Sequence, residues 1–323
     1  MEKLSAKILR RSIYNFLQNY HYFTSSAVFL AFPFSVSVLF SQALVIAPFS
    51  SLLLQIYTRL KTLFDAACFP SSSQLITILN LKVSQTITSS IFSLPFTLTF
   101  LLLAKACTIH ALKNNRKPTL PPSFSINSIL SLYKPLLQTY ICNFFLILSA
   151  NATAFCLMFL VFSCIEGLGY SSPNCLFFMS ACGAVLFSVI LANALVICNM
   201  ALALSGIEGH GGYLAILKSC VLIKEKTSMA LFLELPVNLA LAALEALFNF
   251  RVVRTYHIVG KAWPYVALEG IFIAYLYSIF IILQTIVCCM FYKSFKTGSS
   301  WIHKEDKLLL RIEFPEEYNF EQP

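Results

Sequence analysis

Charge is what this chain has least of. Charged residues make up 11% of its 323 residues and apolar ones 58%, where an ordinary soluble domain carries roughly 25% charged residues. A soluble domain of this length needs a polar surface that so few charges do not supply, which excludes that class and points to a membrane protein. Catalytic and metal-binding motifs are missing too. There is no HExxH, no paired CxxC and no nucleophile elbow, and the five histidines are scattered. His210 beside Glu208 offers two ligands in a glycine-rich stretch, too few to hold a metal. The sequon Asn151-Ala152-Thr153 falls inside an apolar run, out of reach of a glycosyltransferase. No cofactor is implied, and the chain reads as a non-enzyme. A cleavable signal peptide is not expected, because the first apolar run begins only near Ala27 and is far longer than a signal core. The eleven cysteines lie mostly inside apolar runs, the distribution of a small hydrophobe and not of a disulfide framework. Cys288 and Cys289 stand at the exit of the last run, where palmitoylation competes with plain packing.

What is abundant is hydrophobic length. A membrane span needs about 20 mostly apolar residues to cross a hydrocarbon core of ~30 Å. Six runs qualify, near residues 27–56, 86–103, 136–165, 175–204, 229–250 and 265–291. They have helix-length hydrophobicity and no short alternating segments, so the expected fold is all-α, a polytopic bundle and not a barrel. The expected layout is a cytosolic helix over 1–25, a six-span bundle over 26–292 and a cytosolic tail over 293–323. Lysine and arginine set the orientation. The N-terminus, second loop, fourth loop and C-terminus carry four, five, three and five of them, against six in the remaining loops; Lys105 is counted here with the second loop. Both termini are therefore predicted cytosolic, in an endomembrane or the plasma membrane. The formal net charge of +9 then faces anionic lipid, and no nucleic acid need be invoked.

Three segments before the odd-numbered spans have helical amphipathic spacing. At the N-terminus Ala6, Leu9, Ile13, Phe16, Leu17 and Tyr20 form an apolar stripe, with Lys3, Lys7, Arg10 and Arg11 opposite. Before the third span the stripe is Ile126, Ile129, Leu130, Tyr133, Leu136, Leu137 and Tyr140, with Pro135 expected to kink it. Before the fifth, after a glycine-rich turn, Tyr213, Ile216, Leu217, Cys220 and Val221 share one face and Lys218, Ser219, Glu225 and Lys226 the other. The expectation is three cytosolic interfacial helices, each followed by a transmembrane hairpin. The alternative is that each is the cytosolic extension of a long span.

The third of these segments, "IEGHGGYLAILKSCVLIKEK", resembles one found in plant uncharacterised multi-pass transmembrane proteins. More distantly it is similar to the bacterial YciC-like and glycerophosphodiester phosphodiesterase membrane-domain groups. The matching positions are Glu208, Gly209, Ala215, Lys218, Ser219, Leu222 and Lys224. No phosphodiesterase domain accompanies them here, so that activity does not carry over.

The fifth run, "MALFLELPVNLALAALEALFNF", places Glu234, Asn238 and Glu245 on one narrow face. Ionisable groups inside membranes are costly and normally face the bundle interior. They form either a polar track for a proton, cation or headgroup, or a structural seam joining this helix to its neighbours, and the seam is the favoured reading. Glu269 is placed to pair with Arg251 or Arg254, and Asn199 to bond across helices. Ser180, Ala184, Ser188 and Ala192, four residues apart, allow another helix close approach, within the chain or in a homo-oligomer. Three functions remain open: a non-catalytic bundle that organises membrane or binds lipid or protein partners, a small-solute or ion transporter, and a lipid-modifying enzyme. The first is preferred.

Overall fold

The computed structural model describes residues 2–46, 51–66, 74–113, 126–167, 173–224, 227–255 and 264–313. Among them every regular element is helical. In chain order these are α1 (Glu2–Gln18), α2 (Tyr20–Ser26), α3 (Phe32–Ile46), α4 (Ser51–Ala66), α5 (Gln74–Phe96), α6 (Leu102–Lys113), α7 (Ile126–Gly167), α8 (Pro173–Glu208), α9 (Tyr213–Lys224), α10 (Thr227–Phe248) and α11 (Pro264–Glu313). Single π-helical turns join α2 to α3 (Ala27–Ala31), join α5 to α6 (Thr97–Leu101) and follow α10 (Asn249–Val253). Two of the three lie within two residues of a proline, Pro33 or Pro95, whose missing N–H loosens the helical ladder.

Six stretches are long and apolar enough to cross a membrane: Tyr20–Ser41, Val83–Lys113, Ile129–Ala154, Ala181–Glu208, Thr227–Val253 and Pro264–Phe295. The chain is a multi-pass membrane protein. Its spans pair as consecutive hairpins, α3 with α5, α7 with α8, and α10 with α11. The last helix is the hub, touching α1, α3, α6, α8 and α10. Of its most apolar window 61% is buried, against 17–28% in the other five spans. A helix apolar on all sides belongs at a core, and "IFIAYLYSIFIILQTIVCCMFY" is one. The main core lies at the end of the bundle that carries α1 and α9. It joins Phe23, Leu102, Ile109, Leu136, Met200, Leu204, Leu233 and Ile286. A smaller cluster of Leu39, Phe248, Val253, Ile273 and Ala274 lies elsewhere along the hub.

The structure departs from the sequence reading in several places. Residues 51–56, expected at the end of the first span, start the separate helix α4. The stripe at 126–140 is no separate interfacial helix but the first turns of α7, which runs 42 residues without a break. Its Ile129, Leu132 and Leu136 are buried, and the Tyr133 hydroxyl donates to the Leu98 carbonyl at 2.8 Å. Pro135 is tolerated inside the helix, and Thr139 Oγ1 donates to its carbonyl at 2.8 Å; hydroxyl side chains commonly re-satisfy backbone near a proline in a span. The tail expected from residue 293 continues α11 as far as Glu313. Cys288 and Cys289 are buried in the main core, which supports the packing reading. Among the small residues, Ser188 is exposed and bonds its own helix at Val185, while the side chains of Ser180 and Ala184 lie outside the described residues. Glu225 and Lys226 also lie outside them.

Candidate functional site

The polar residues of α10 meet α11 in a regular antiparallel register. Cys288 Sγ donates to Glu234 Oε1 at 3.0 Å, Gln284 Nε2 to Asn238 Oδ1 at 2.8 Å, and the Tyr277 hydroxyl to Glu245 Oε1 at 2.8 Å. Going up α10 by four and then seven residues means going down α11 by four and then seven. The periods match because both helices turn about 3.6 residues per turn and cross nearly antiparallel. Glu234, Asn238 and Glu245 therefore share a face, and that face is joined to the hub helix. Beyond the last of them, Arg251 Nε pairs with Glu269 Oε1 at 2.9 Å, and the Arg254 guanidinium lies 5.4 Å from the Phe250 ring centre.

Glu234 is the most enclosed of the three, at 3% exposure. A second helix reaches it as well, since Asn199 Nδ2 of α8 donates to Oε2 at 3.0 Å. Each carboxylate oxygen thus has a neutral donor. The charge that balances it comes from a residue assigned to a loop on sequence. Lys105 is 8% exposed, inside α6 and eight residues short of its end at Lys113, roughly 12 Å along the helix. Its electrostatic neighbours are Cys288, Glu234, Cys198 and Cys289. Among the described residues its ammonium makes neither a hydrogen bond nor a contact ion pair. The signal was in the sequence: in "LLLAKACTIHALK" the lysine has Leu101 and Leu102 one turn before it and Ile109 one turn after. A lysine with apolar neighbours on both sides of its own face is inside the span and not beyond it.

The segment with the family-like motif forms a clasp at the same end of the bundle. Gly209 and Gly212 have φ of 77° and 81°, the left-handed region that glycine enters without strain. Between them Gly211 lies so close to the Pro135 backbone that an added Cβ would collide with it. The Gly212 amide donates to Thr139 Oγ1 at 2.9 Å. This tight turn folds α9 back against α8 and α7. Lys218 Nζ then reaches both oxygens of Glu208, at 2.6 and 2.8 Å, and the Tyr292 hydroxyl of α11 donates to Glu208 Oε1 at 2.5 Å. Ala215 and Ser219 are buried, with Ser219 Oγ donating to the Ile216 carbonyl at 2.8 Å. Leu222 is partly buried against the core, and Lys224 is exposed. Lys218 is therefore not on a purely solvated face, and Ile216, expected on the lipid side, is buried. Cys220 beside them has its thiol pKa pushed up by partial burial.

α1 has three faces. Ser5, Ile8 and Ser12 are buried where the helix meets the hub, and Asn15 Nδ2 contacts Met290 Sδ at 3.3 Å. Ala6, Ile13 and Leu17 are exposed along a second face, continued by exposed Tyr20 at the start of α2, and Lys7, Arg10 and Arg11 are exposed along a third. Lys3 lies on the helix, but its side chain is outside the described residues. On α9, Tyr213, Leu214, Leu217 and Val221 are similarly exposed.

Among the described residues no three histidine, cysteine or acidic side chains gather into a metal site. No curated protein and no solved structure matches this chain. One family model matches residues 3–307, from α1 through all six spans and along most of α11, so the clasp and the seam lie within the shared unit. The chain belongs to the family described as Domain of unknown function (DUF8558).

Proposed function

We propose that the protein is a non-catalytic membrane bundle that binds anionic lipid at its cytosolic face, with α1 as the main contact. The observation that carries this reading is the division of α1 into three faces. One is buried on the bundle, one is exposed and apolar, and the third is exposed and basic. A helix with that arrangement lies in the interface plane, its apolar stripe in the acyl boundary and its cations at the headgroups. The exposed stripe of α9 supports the same placement. The bonding of Glu234, Asn238 and Glu245 to α11 supports a structural role for those residues over a transport track.

Each basic side chain near an anionic surface contributes ~1 kcal/mol. Replacing Lys7, Arg10 and Arg11 together by glutamine should therefore weaken the surface contact by about 3 kcal/mol, roughly a hundredfold. The test is amide hydrogen exchange of α1 in the full-length protein, in nanodiscs of phosphatidylglycerol and of phosphatidylcholine. Protection should be greater in the anionic discs, and the triple variant should lose that difference. Equal protection in both lipids refutes the reading. Solute flux through proteoliposomes that the triple substitution leaves intact would replace it with the transporter reading.

A further inference from the structure

The charges of Lys105 and Glu234 are balanced but not joined. Both Glu234 oxygens are occupied, one by Cys288 and one by Asn199. Lys105 as a residue is more than nine-tenths buried, and its ammonium, which carries three donors, has no acceptor in contact among the described residues. Leu102 and Ile109 of its own helix and Leu233 of α10 are buried in the main core, and Glu234 is the charged group among its electrostatic neighbours. An ammonium on a buried side chain without a contact acceptor is costly, and that unmet donor capacity is the feature of the bundle that a bound anion would satisfy.

We infer that Lys105 is the anchor of an intramembrane binding site for a singly charged phosphodiester, and that the ligand binds together with a proton on Glu234. One ammonium matches one negative charge, and lysine serves phosphate as a point charge. Before the anion arrives, Glu234 supplies the compensating charge from beyond contact distance. Once the anion sits on Lys105, an ionised Glu234 leaves the site one negative charge in excess in a medium that tolerates none. Protonation of the carboxylate restores neutrality. The groups that face Glu234 from the packed helices are Lys105 of α6, Asn199 and the Cys198 thiol of α8, and Cys288 of α11, with Asn238 on its own helix. Lys105 is the cation among them, so neutralisation falls to the carboxylate. The phosphodiester is that of a lipid headgroup or of a water-soluble ester, and the two are separable by experiment.

The full-length protein in a neutral detergent, which offers α1 no anionic surface, is titrated with short-chain phosphatidylglycerol and separately with dimethyl phosphate. Bound ligand is counted by native mass spectrometry. Both probes keep a single charge across the working range, so pH acts on the protein alone. Wild type should take up one equivalent, tightening by up to about tenfold for each pH unit lowered, the limit for one linked proton. Uptake of the lipid alone assigns the site to a headgroup; uptake of dimethyl phosphate assigns it to the phosphodiester itself. K105Q should bind at least about tenfold more weakly, the loss of one charge-assisted contact, while K105R should retain binding. E234Q, a permanently neutral stand-in for the protonated acid, should bind tightly with no pH dependence. The inference is overturned if wild type binds neither probe saturably, if K105Q binds as well as wild type, or if wild-type affinity ignores pH. Because α1 has no anionic surface in this assay, failure here leaves the surface reading standing, and the reverse also holds.

Discussion

Replacing Glu234 by leucine and by glutamine isolates the hydrogen bonds of the seam from its charge. Both variants remove the negative charge that balances Lys105, so that cost is common to them. Leucine also removes both acceptors. The Asn199 amide of α8 loses its partner at 3.0 Å, and the Cys288 thiol loses its own. A buried donor left unpaired costs ~1–3 kcal/mol, and side-chain bonds in membrane bundles average ~0.6 kcal/mol with a maximum near 1.7. Glutamine keeps one oxygen for Asn199 and turns an amide toward Cys288. Leucine should therefore be less stable than glutamine by about 1–3 kcal/mol. The measurement is reversible unfolding in mixed micelles with increasing denaturing detergent, read by circular dichroism. The single bonds farther along supply a scale, since Tyr277→Phe removes one donor to Glu245 and should cost no more than ~1.7 kcal/mol. If Glu234→Leu is as stable as Glu234→Gln, the carboxylate is not holding α8 and α11 to α10, and the seam is wrong.

Among the described glycines Gly211→Ala should be the most damaging added methyl, because the carbon meets the rigid backbone of Pro135. It should destabilise by ~1–3 kcal/mol or more and raise hydrogen exchange throughout α9, and a silent substitution would refute the close contact. Lys218→Gln should loosen the clasp without unfolding the bundle, because Glu208 keeps the Tyr292 hydroxyl and the lysine is half exposed. A surface pair of this kind is worth about 0–1 kcal/mol, and a global collapse of the variant would show that the clasp does more. For topology, glycosylation acceptors engineered between α4 and α5 should be used in microsomes and those between α6 and α7 should not. The opposite pattern would invert the orientation and remove the lipid face proposed for α1.

The comparison of sequence and structure turns on a few residues. Hydrophobic length was sufficient to count six spans, and the helical period to place Glu234, Asn238 and Glu245 on one face, because each is read along a single segment. Which helix that face meets depends on a register with α11 that no local pattern contains. The glycines of 209–212 signalled a turn, but the need for glycine at Gly211 comes from Pro135, more than seventy residues earlier. The stripe at 126–140 shows the limit of periodicity most plainly. An apolar face reads the same whether it lies on lipid or on protein, and here Ile129, Leu132 and Leu136 lie on protein while the equally periodic Ile13 and Leu17 do not.

The sequence by itself determined the class, a helical multi-pass membrane chain, since scarce charge and span-length apolar runs are properties of composition and local order. Tertiary structure alone decided which charges are inside. Lys105 counts as one more basic loop residue until α6, α8, α10 and α11 close around it. Only then is the lysine buried, given Glu234 as its electrostatic neighbour and left without a contact acceptor among the described residues. Burial of a charge is a property of what surrounds it, and those surroundings are drawn from four helices spread over residues 102–313.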